Sequence, residues 1–189
     1  MRDIIRDAIL ESISVKEELL KNNLAQIVDV SEKIIASLKK GGKLIIFGNG
    51  GSASDAQHIA AELVGRFKKD RPALPAIALT VNTSIITALA NDFGFDIIFV
   101  RQIEALADKS DIALGISTSG KAKNVALGIK QAKKMGLFTI ALTGGSGGDI
   151  AAQSDISLIV PSNVTARIQE CHILIGHIIC ELVEESNVR

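Results

Sequence analysis

Short apolar runs alternate with helical segments along most of this chain, and this alternation is the strongest restriction on its fold. The five runs lie at 43–47, 76–79, 111–116, 137–142 and 156–160. Apolar runs of this length, separated by helices, are typical of strands that are buried on both faces of a parallel sheet. The alternation therefore predicts an α/β fold, a three-layer αβα domain doubly wound around a five-stranded parallel sheet.

Helical spacing of apolar residues predicts the other elements. Residues 2–40 predict two amphipathic helices with a break near 21–23. The remaining helices are expected at 53–67, 84–91, 96–107, 122–135, 148–153 and 163–186. Because no linker or low-complexity segment interrupts the pattern, residues 1–189 are expected to form one domain. Residues 1–40 would be an N-terminal helical extension that packs in an oligomer, and 41–189 would hold the sheet and its flanking helices.

Composition argues against two classes of partner. Lys and Arg together number 21, Asp and Glu number 21, and aromatic residues make up 3% of the chain. A basic groove with stacking aromatics is therefore not expected, and neither is nucleic-acid binding. No membrane partner is expected either, because the apolar stretch 173–180 is far too short to span a bilayer.

The same composition indicates a cytoplasmic oligomer. Hydrophobic residues make up 47% of the chain and the mean hydropathy is +0.31, so some apolar surface is expected to be buried between subunits. Cys171 and Cys180 fall nine residues apart in a predicted helix, on opposite faces, and cannot pair with each other. Free buried thiols are typical of a reducing compartment. The segment 1–21 is apolar on one face only and carries acids, unlike a secretion signal.

A glycine-rich turn follows the first predicted strand. The string Gly48–Ala53 combines glycines, which allow close approach of the backbone, with a helix N-terminus that offers free N–H groups. The string also matches the dinucleotide fingerprint G-x-G-x-x-A, which requires an acid at the end of the next strand, about twenty residues on. Here the next strand ends at 79–82, more than thirty residues on, without an acid. Binding of a simpler anion is therefore favoured over a dinucleotide.

A hydroxyl-rich turn follows the third predicted strand. Ser117, Thr118 and Ser119 precede Gly120 and a predicted helix, which is typical of a monophosphate site. The longer string 115–122 nearly matches the loop of an NTPase, but Ala122 stands where that loop needs a hydroxyl for magnesium. The sequence therefore favours a bound monophosphate group over a nucleoside triphosphate.

Two pairs of polar residues share helix faces far apart in the sequence. His58 and Glu62 are four residues apart, and Gln169 and His177 are eight apart. Imidazole and carboxylate suit zinc, whereas a glutamine carbonyl is an uncommon ligand. Spacing alone leaves open whether these residues bind a metal or make ordinary hydrogen bonds. His172 points away from the His177 stripe and is expected to be a packed or hydrogen-bonded helix residue.

These motifs together resemble the phosphoheptose isomerase family, whose fold is the sugar-isomerase (SIS) fold. The segments that carry the resemblance are 48–58 with Glu62, 91–94, 117–120, 166–170 and His177. The resemblance covers nearly the whole chain. It implies a homotetramer with active sites between subunits and the isomerisation of sedoheptulose 7-phosphate to D-glycero-D-manno-heptose 7-phosphate. That reaction would supply activated heptose for bacterial surface polysaccharide such as lipopolysaccharide.

The resemblance also implies roles for individual residues. One Zn²⁺ per subunit would be held by His58, Glu62, Gln169 and His177. The implied substrate contacts are Asn49, Gly50, Gly51, Ser52, Glu62, Asn91, Asp92, Ser117, Thr118, Ser119 and Gln169. From the residues alone, Asn91 and Asp92 could equally form the last turn of a helix.

The sequence departs from the family pattern at two places. Ala122 stands where many members have a serine, so one hydroxyl contact to the substrate is lost, and Lys121 or Lys123 could compensate by charge. Residues 81–83 read Val-Asn-Thr where members often have Thr-Asp-Thr. Neither change touches the acid and base.

An aldose–ketose isomerase needs a group that moves a proton between adjacent carbons and one that acts on the oxygens. We expect Glu62 to be the carbon base and His177 its acid/base partner, acting through an enediol. The alternative is a non-catalytic adaptor or sugar-phosphate sensor of the same fold and tetrameric form. The presence of both Glu62 and His177 favours the enzyme.

Overall fold

The computed structural model describes residues 1–188 and has eight α-helices and five strands within them. The strands are β1 (Leu44–Gly48), β2 (Ala76–Ala78), β3 (Ile112–Ser117), β4 (Phe138–Gly144) and β5 (Ile156–Val160). The helices are α1 (Arg2–Asn22), α2 (Leu24–Lys39), α3 (Gly51–Val64), α4 (Thr83–Phe93), α5 (Ile98–Leu106), α6 (Lys123–Lys134), α7 (Gly148–Gln153) and α8 (Thr165–Glu185). Arg189, the last residue of the predicted domain, lies outside the described residues.

The five strands form one parallel sheet in the order β2-β1-β3-β4-β5. This confirms the predicted doubly wound α/β fold. The chain winds from β1 outward to β2 and then crosses to β3 on the other side. The strand order therefore reverses between β1 and β3, and ligands of open parallel sheets bind beyond the carboxyl ends of the strands at such a point.

Alternate side chains of each strand enter two separate cores. In β1, Leu44 and Ile46 pack with α2, α3 and α8 on one face of the sheet, whereas Ile45 and Phe47 pack with α5, α6 and α7 on the other. All four side chains are fully buried. Burial of both faces is the reason that these strands read as continuous apolar runs in the sequence.

The N-terminal helices differ in how much of them the sheet covers. α2 buries Ile27, Val30, Ile34 and Leu38, which follow helical spacing and join the core beside α8. In α1, which is 21 residues long, Leu19 alone is buried. The stripe Ile5, Ile9 and Ile13 is 60%, 56% and 48% exposed. Within residues 1–188, no helix combines the length and apolar character that crossing a bilayer requires.

Two element boundaries differ informatively from the predicted ones. The helix predicted at 96–107 begins as a 3₁₀ turn, Phe95–Ile97, before α5. The helix predicted at 84–91 extends to Phe93, so Asn91 and Asp92 lie in its last turn, and Gly94, with φ of +93°, ends it. Asn82 accepts a hydrogen bond from the Ile85 N–H and caps α4. Asparagine thus serves as an N-cap in the segment 81–83, where the family often has Thr-Asp-Thr.

Phe47 should contribute most of the aromatic packing on its side of the sheet. Its ring lies 5.2 Å from the Phe99 ring between centroids, and a Cβ on Gly128 would come 2.8 Å from it. Because the Phe47 side chain is fully buried, Phe47→Ala should lower the free energy of unfolding by about 3–5 kcal/mol. Urea unfolding measures this value. Phe95→Ala removes a ring that is 55% exposed and should cost less than about 1 kcal/mol; equal losses would contradict the assignment of the core.

Candidate active site

A small cavity opens at the carboxyl edge of the sheet where the strand order reverses. Its volume is about 190 Å³, and it is lined by Asn49, Ser52, Ile116, Ser117, Thr118, Ser119 and Ala122. The lining comes from the turn after β1 and the turn after β3, which are neighbouring strands. The two predicted phosphate loops therefore face each other across one cavity.

The turn after β1 is shaped by two glycines. Gly50 has φ of +55°, a left-handed conformation that favours glycine, and α3 begins at the next residue. At Gly51, a Cβ would meet the amide end of the Gln169 side chain, so a larger residue there would displace that side chain. Ser52 is buried in the first turn of α3 and faces the cavity. The turn thus presents a helix N-terminus, which attracts anions.

The turn after β3 carries hydroxyl groups and Lys121, whose ammonium forms no ion pair within residues 1–188. Ser119 Oγ accepts a hydrogen bond from the Lys121 N–H. Ala122 is the N-cap of α6 and supplies no side-chain cap. Lys123 forms an ion pair with Asp96, so it is already engaged. Lys121 instead lines a second cavity of about 210 Å³ together with Thr118 and Ser119, which makes it the better candidate to compensate for Ala122.

Three of the predicted metal ligands meet between α3 and α8. Nε2 of His58 lies 2.9 Å from Nε2 of His177 and 3.2 Å from Oε1 of Glu62. One ligand atom from each of the three residues falls within 4.8 Å of the others. Donor atoms that share one zinc at about 2.0–2.1 Å must lie roughly 3 Å apart. The set fits zinc, because two imidazoles and one carboxylate leave a coordination position open for a substrate oxygen.

Gln169 lies farther along α8. Its amide packs against Gly51 beside the phosphate loop, and eight residues separate it from His177, which is about 12 Å of helix. Gln169 therefore lies at the end of the cleft near the phosphate loops. His58, Glu62 and His177 lie at the opposite end. Glu62 is partly buried, and so is His177, whereas His58 is exposed.

The His177 ring contacts two other rings. The Phe67 ring stacks on it, with centroids 5.4 Å apart and planes 25° apart. The His58 ring lies 5.0 Å away. Phe67 belongs to the irregular segment that follows α3, although the sequence predicted a helix over 53–67; α3 ends at Val64, just before Gly65. These two neighbouring rings restrict the directions in which His177 can turn.

Asn91 and Asp92 are outside this cleft in the single chain. Both side chains are exposed in the last turn of α4, and Asn91 Nδ2 donates a hydrogen bond to Asp92 Oδ1. The lining of the 190 Å³ cavity does not include them within the described residues. The structure thus brings together the two loops, Gln169 and the His–Glu–His group, and leaves Asn91 and Asp92 apart.

Asp55 is a polar residue near the site that the sequence patterns missed. It lies one turn before His58 on α3, it is half-buried, and its Oδ2 has no hydrogen-bond partner among the described residues. Burial raises its pKa to about 6, although the charge of His58 acts in the opposite direction. The signal that could have revealed it is its position beside the buried stripe Ser52, Ala56 and Ile59.

His172 is buried as predicted. Its Nε2 donates to the Thr143 carbonyl at 3.1 Å, and its Nδ1 has no partner within residues 1–188. Burial lowers its pKa to about 4, and the hydrogen bond to Thr143 offsets only part of this shift. His172 therefore anchors α8 to β4 as a neutral ring.

Comparison with known proteins extends the resemblance in the motifs to the whole chain. The SIS domain family matches residues 9–144. The phosphoheptose isomerase of Aquifex aeolicus is 56% identical over 185 residues, which cover 98% of this chain and 97% of that protein. The structure of phosphoheptose isomerase from Neisseria gonorrhoeae superposes with a TM-score of 0.93 at 42% identity and covers 97% of this chain and 98% of its own. The Francisella tularensis enzyme gives 0.94 at 39% identity and covers 97% of both chains.

The fold, the loop cavity and these matches define an isomerase with a SIS domain. The chain belongs to the phosphoheptose isomerase family. The predicted family and fold are thereby confirmed.

The low pKa of His172 predicts a stability loss in acid. The folded protein binds the proton with a pKa of about 4, and the unfolded chain binds it near 6.5. Stability should therefore be full above pH 6.5 and should fall by about 3 kcal/mol as the pH is lowered to 4. Urea unfolding of wild type and His172→Gln at several pH values measures the difference. The variant should not show the loss of stability between pH 6.5 and 4. If the stability of both proteins falls equally with pH, the role assigned to His172 is wrong.

Proposed function

We propose that this protein converts sedoheptulose 7-phosphate to D-glycero-D-manno-heptose 7-phosphate, the first step of activated-heptose synthesis for surface polysaccharide such as lipopolysaccharide. One observation carries the proposal. Glu62 and His177, a carboxylate and an imidazole from distant parts of the chain, offer atoms within 4.8 Å of each other. They do so in a chain that is 56% identical to a phosphoheptose isomerase.

The phosphate loops would hold the far end of the substrate. Ser117, Thr118 and Ser119 would bind the phosphate group, and Asn49, Gly50, Gly51 and Ser52 would contact the sugar phosphate from the other side of the cavity. Seven residues of α3 separate Gly51 from His58, which is about 10 Å. This separation suits a substrate whose phosphate and reacting carbons lie at opposite ends. Holding the far end turns binding energy into alignment of the reacting carbons.

Glu62 and His177 would move the protons. Glu62 would take the proton from one carbon and return it to its neighbour, while His177 would donate to and accept from the adjacent oxygens through an enediol. Each such group contributes about 10²–10⁴ in rate. A carboxylate has two oxygens, so Glu62 Oε1 could stay beside His58 while the other oxygen accepts the proton.

The metal is proposed to be zinc, one ion per subunit. His58, Glu62 and His177 would hold it, since this donor set fits zinc. When bound, zinc supplies Lewis acidity to a substrate carbonyl. Gln169 remains a proposed fourth ligand and substrate contact. About 12 Å of helix separates it from His177 in one chain, so the two would meet most easily if a second subunit contributed one of them.

We also propose that residues 1–189 form one SIS domain that assembles as a homotetramer with sites between subunits. The support is α1, in which Leu19 alone is buried: helices in proteins gain most of their stability from packing an apolar face, and the isoleucine stripe of α1 is exposed. A second copy of the chain would cover its exposed isoleucine stripe. Asn91 and Asp92, exposed in the single chain, would then contact substrate across the subunit interface. The buried free thiols Cys171 and Cys180 support a cytoplasmic location.

The isomerase is favoured over an adaptor or a sensor of the same fold. An adaptor would not need a carboxylate facing two imidazoles, a donor set suited to metal binding and to proton transfer. The Aquifex aeolicus relative, which matches over nearly the full length, is a phosphoheptose isomerase.

Replacement of the carbon base should stop turnover. Glu62→Gln should lower kcat for sedoheptulose 7-phosphate at least about 10²-fold, because an amide cannot accept the proton. Product analysis of the incubated sugar phosphate measures turnover, and calorimetry should show that the variant still binds substrate. Removing metal from the wild type with a chelator should also lower the rate, and zinc should restore it.

A matched control is Glu104→Gln, an exposed acid of α5 that forms a pair with Arg101. It should keep the wild-type rate. A wild-type rate in Glu62→Gln would refute the base assignment, and a wild-type protein that leaves the sugar phosphate unchanged would refute the proposed function.

Charges on the exposed stripe of α1 should dissociate the tetramer. The double variant Ile9→Asp and Ile13→Asp places two carboxylates where apolar contact between copies is expected. Sedimentation should show tetramers for wild type and smaller species for the variant. Lys33→Asp is the control, because it also changes charge but lies on α2, where the side chain is over the Phe138 ring. It should leave the tetramer intact. A monomeric wild type would contradict the assembly.

A further inference from the structure

The irregular segment between α3 and β2 is organised by one buried carboxylate. Glu184, near the end of α8, accepts hydrogen bonds from the backbone N–H groups of Phe67, Lys68 and Lys69, at 2.7, 2.8 and 3.0 Å. Its side chain is 2% exposed. Burial acts to raise the pKa of Glu184, but these backbone donors and the charge of Arg71 outweigh it and hold the pKa below its usual value.

Arg71 connects the same carboxylate to the end of α3. Its Nε donates to Glu184 Oε1 at 3.1 Å, and its side chain is 10% exposed. Nη1 donates to the Leu63 carbonyl and Nη2 to the Glu62 carbonyl, both at 2.8 Å. These carbonyls belong to the last turn of α3, where helix carbonyls lack intrahelical partners and favour a cation. The planar guanidinium can make all these bonds at once, which an ammonium cannot.

Arg71 and Glu184 both contact segments that carry or pack against the proposed catalytic residues. Arg71 bonds the backbone of Glu62 itself. Glu184 holds the backbone of Phe67, whose ring stacks on His177. Glu184 also lies two turns beyond His177 on α8. One buried ion pair therefore ties together the helix that carries Glu62, the ring against His177 and the helix that carries His177.

We propose that Arg71 and Glu184 are positioning residues for the proposed isomerase site. The pair fixes the distance between the Glu62 carboxylate and the His177 imidazole and keeps His58, Glu62 and His177 preorganised for a metal. Neither residue lies in the phosphate loops. The proposal rests on the roles of Glu62 and His177 in the proposed function.

The chain contains a matched control for this pair. Asp111, with its side chain 2% exposed, accepts hydrogen bonds from the backbone N–H groups of Lys43 and Asp108 and pairs with Lys43 Nζ at 2.6 Å. It has the same chemistry as Glu184, a buried carboxylate that receives backbone N–H groups and one cation. However, it lies at the start of β3, the opposite edge of the sheet from the site.

The test compares Glu184→Gln, Arg71→Lys and Asp111→Asn with wild type. Urea midpoints measure stability, steady-state kinetics with sedoheptulose 7-phosphate measures kcat and KM, and chelator competition measures Zn²⁺ affinity in the absence of substrate. Glu184→Gln and Asp111→Asn should both lower the urea midpoint. Glu184→Gln alone of these two should also lower kcat and Zn²⁺ affinity, each by about 10-fold or more, with KM changed less than about twofold.

Arg71→Lys keeps the charge but loses the fork, so it should show the same pattern with a smaller loss of stability. It serves as the deciding variant if Glu184→Gln does not fold. A folded variant at Glu184 or Arg71 with wild-type kcat and Zn²⁺ affinity would overturn the proposal. Equal losses in Asp111→Asn would also overturn it, because a general loss of stability would then explain the effect.

Failure of the positioning role differs from failure of the proposed function. If the wild type does not isomerise the heptose phosphate, the proposed function fails and the Zn²⁺ measurement alone decides on positioning. If the wild type is active and the variants match it, the positioning role alone fails.

Discussion

The close packing of α3 on α8 is the contact on which the candidate site depends. The helices run alongside each other, with Gln169 against Gly51 at one end and Ile59 against Gly176 farther along. A Cβ on Gly176 would lie 2.7 Å from Ile59 Cδ1, so glycine at this position allows the two backbones to approach. His58 and Glu62 on α3 meet His177 on α8 along this same contact. A small residue at the contact therefore favours the meeting of the proposed acid and base.

The same contact explains why the cleft has two chemically different ends. At the N-terminal end of α3, glycines, hydroxyl groups and a helix dipole favour an anion. At the C-terminal end, imidazoles and a carboxylate favour a cation and proton transfer. Arg71 donates hydrogen bonds to the helix carbonyls there. A sugar phosphate has a matching asymmetry, with a dianionic group at one end and a carbonyl at the other. The direction of α3 would thus set the orientation of the proposed substrate.

Much of this could be predicted from the sequence, because local periodicity carries it. The five strands, the helices and the same-face placement of His58 and Glu62 follow from spacing along the chain. Contacts between distant segments do not follow from spacing. Phe67 stacks on His177 because an irregular segment folds back, and no pattern marks it. In the sequence, Glu184 is one of several acids at the end of α8. Its position four residues after the buried Cys180 places it on the buried face of the helix and could have revealed it.

The most direct test of the central claim is a crystal structure of the zinc-loaded protein with sedoheptulose 7-phosphate bound. The account predicts one ion at His58, Glu62 and His177, the phosphate between the turns after β1 and β3, and the carbons that exchange the proton within reach of Glu62. A structure in which Glu62 and His177 face separate cavities, or in which the sugar carbons lie out of reach of both, would contradict it.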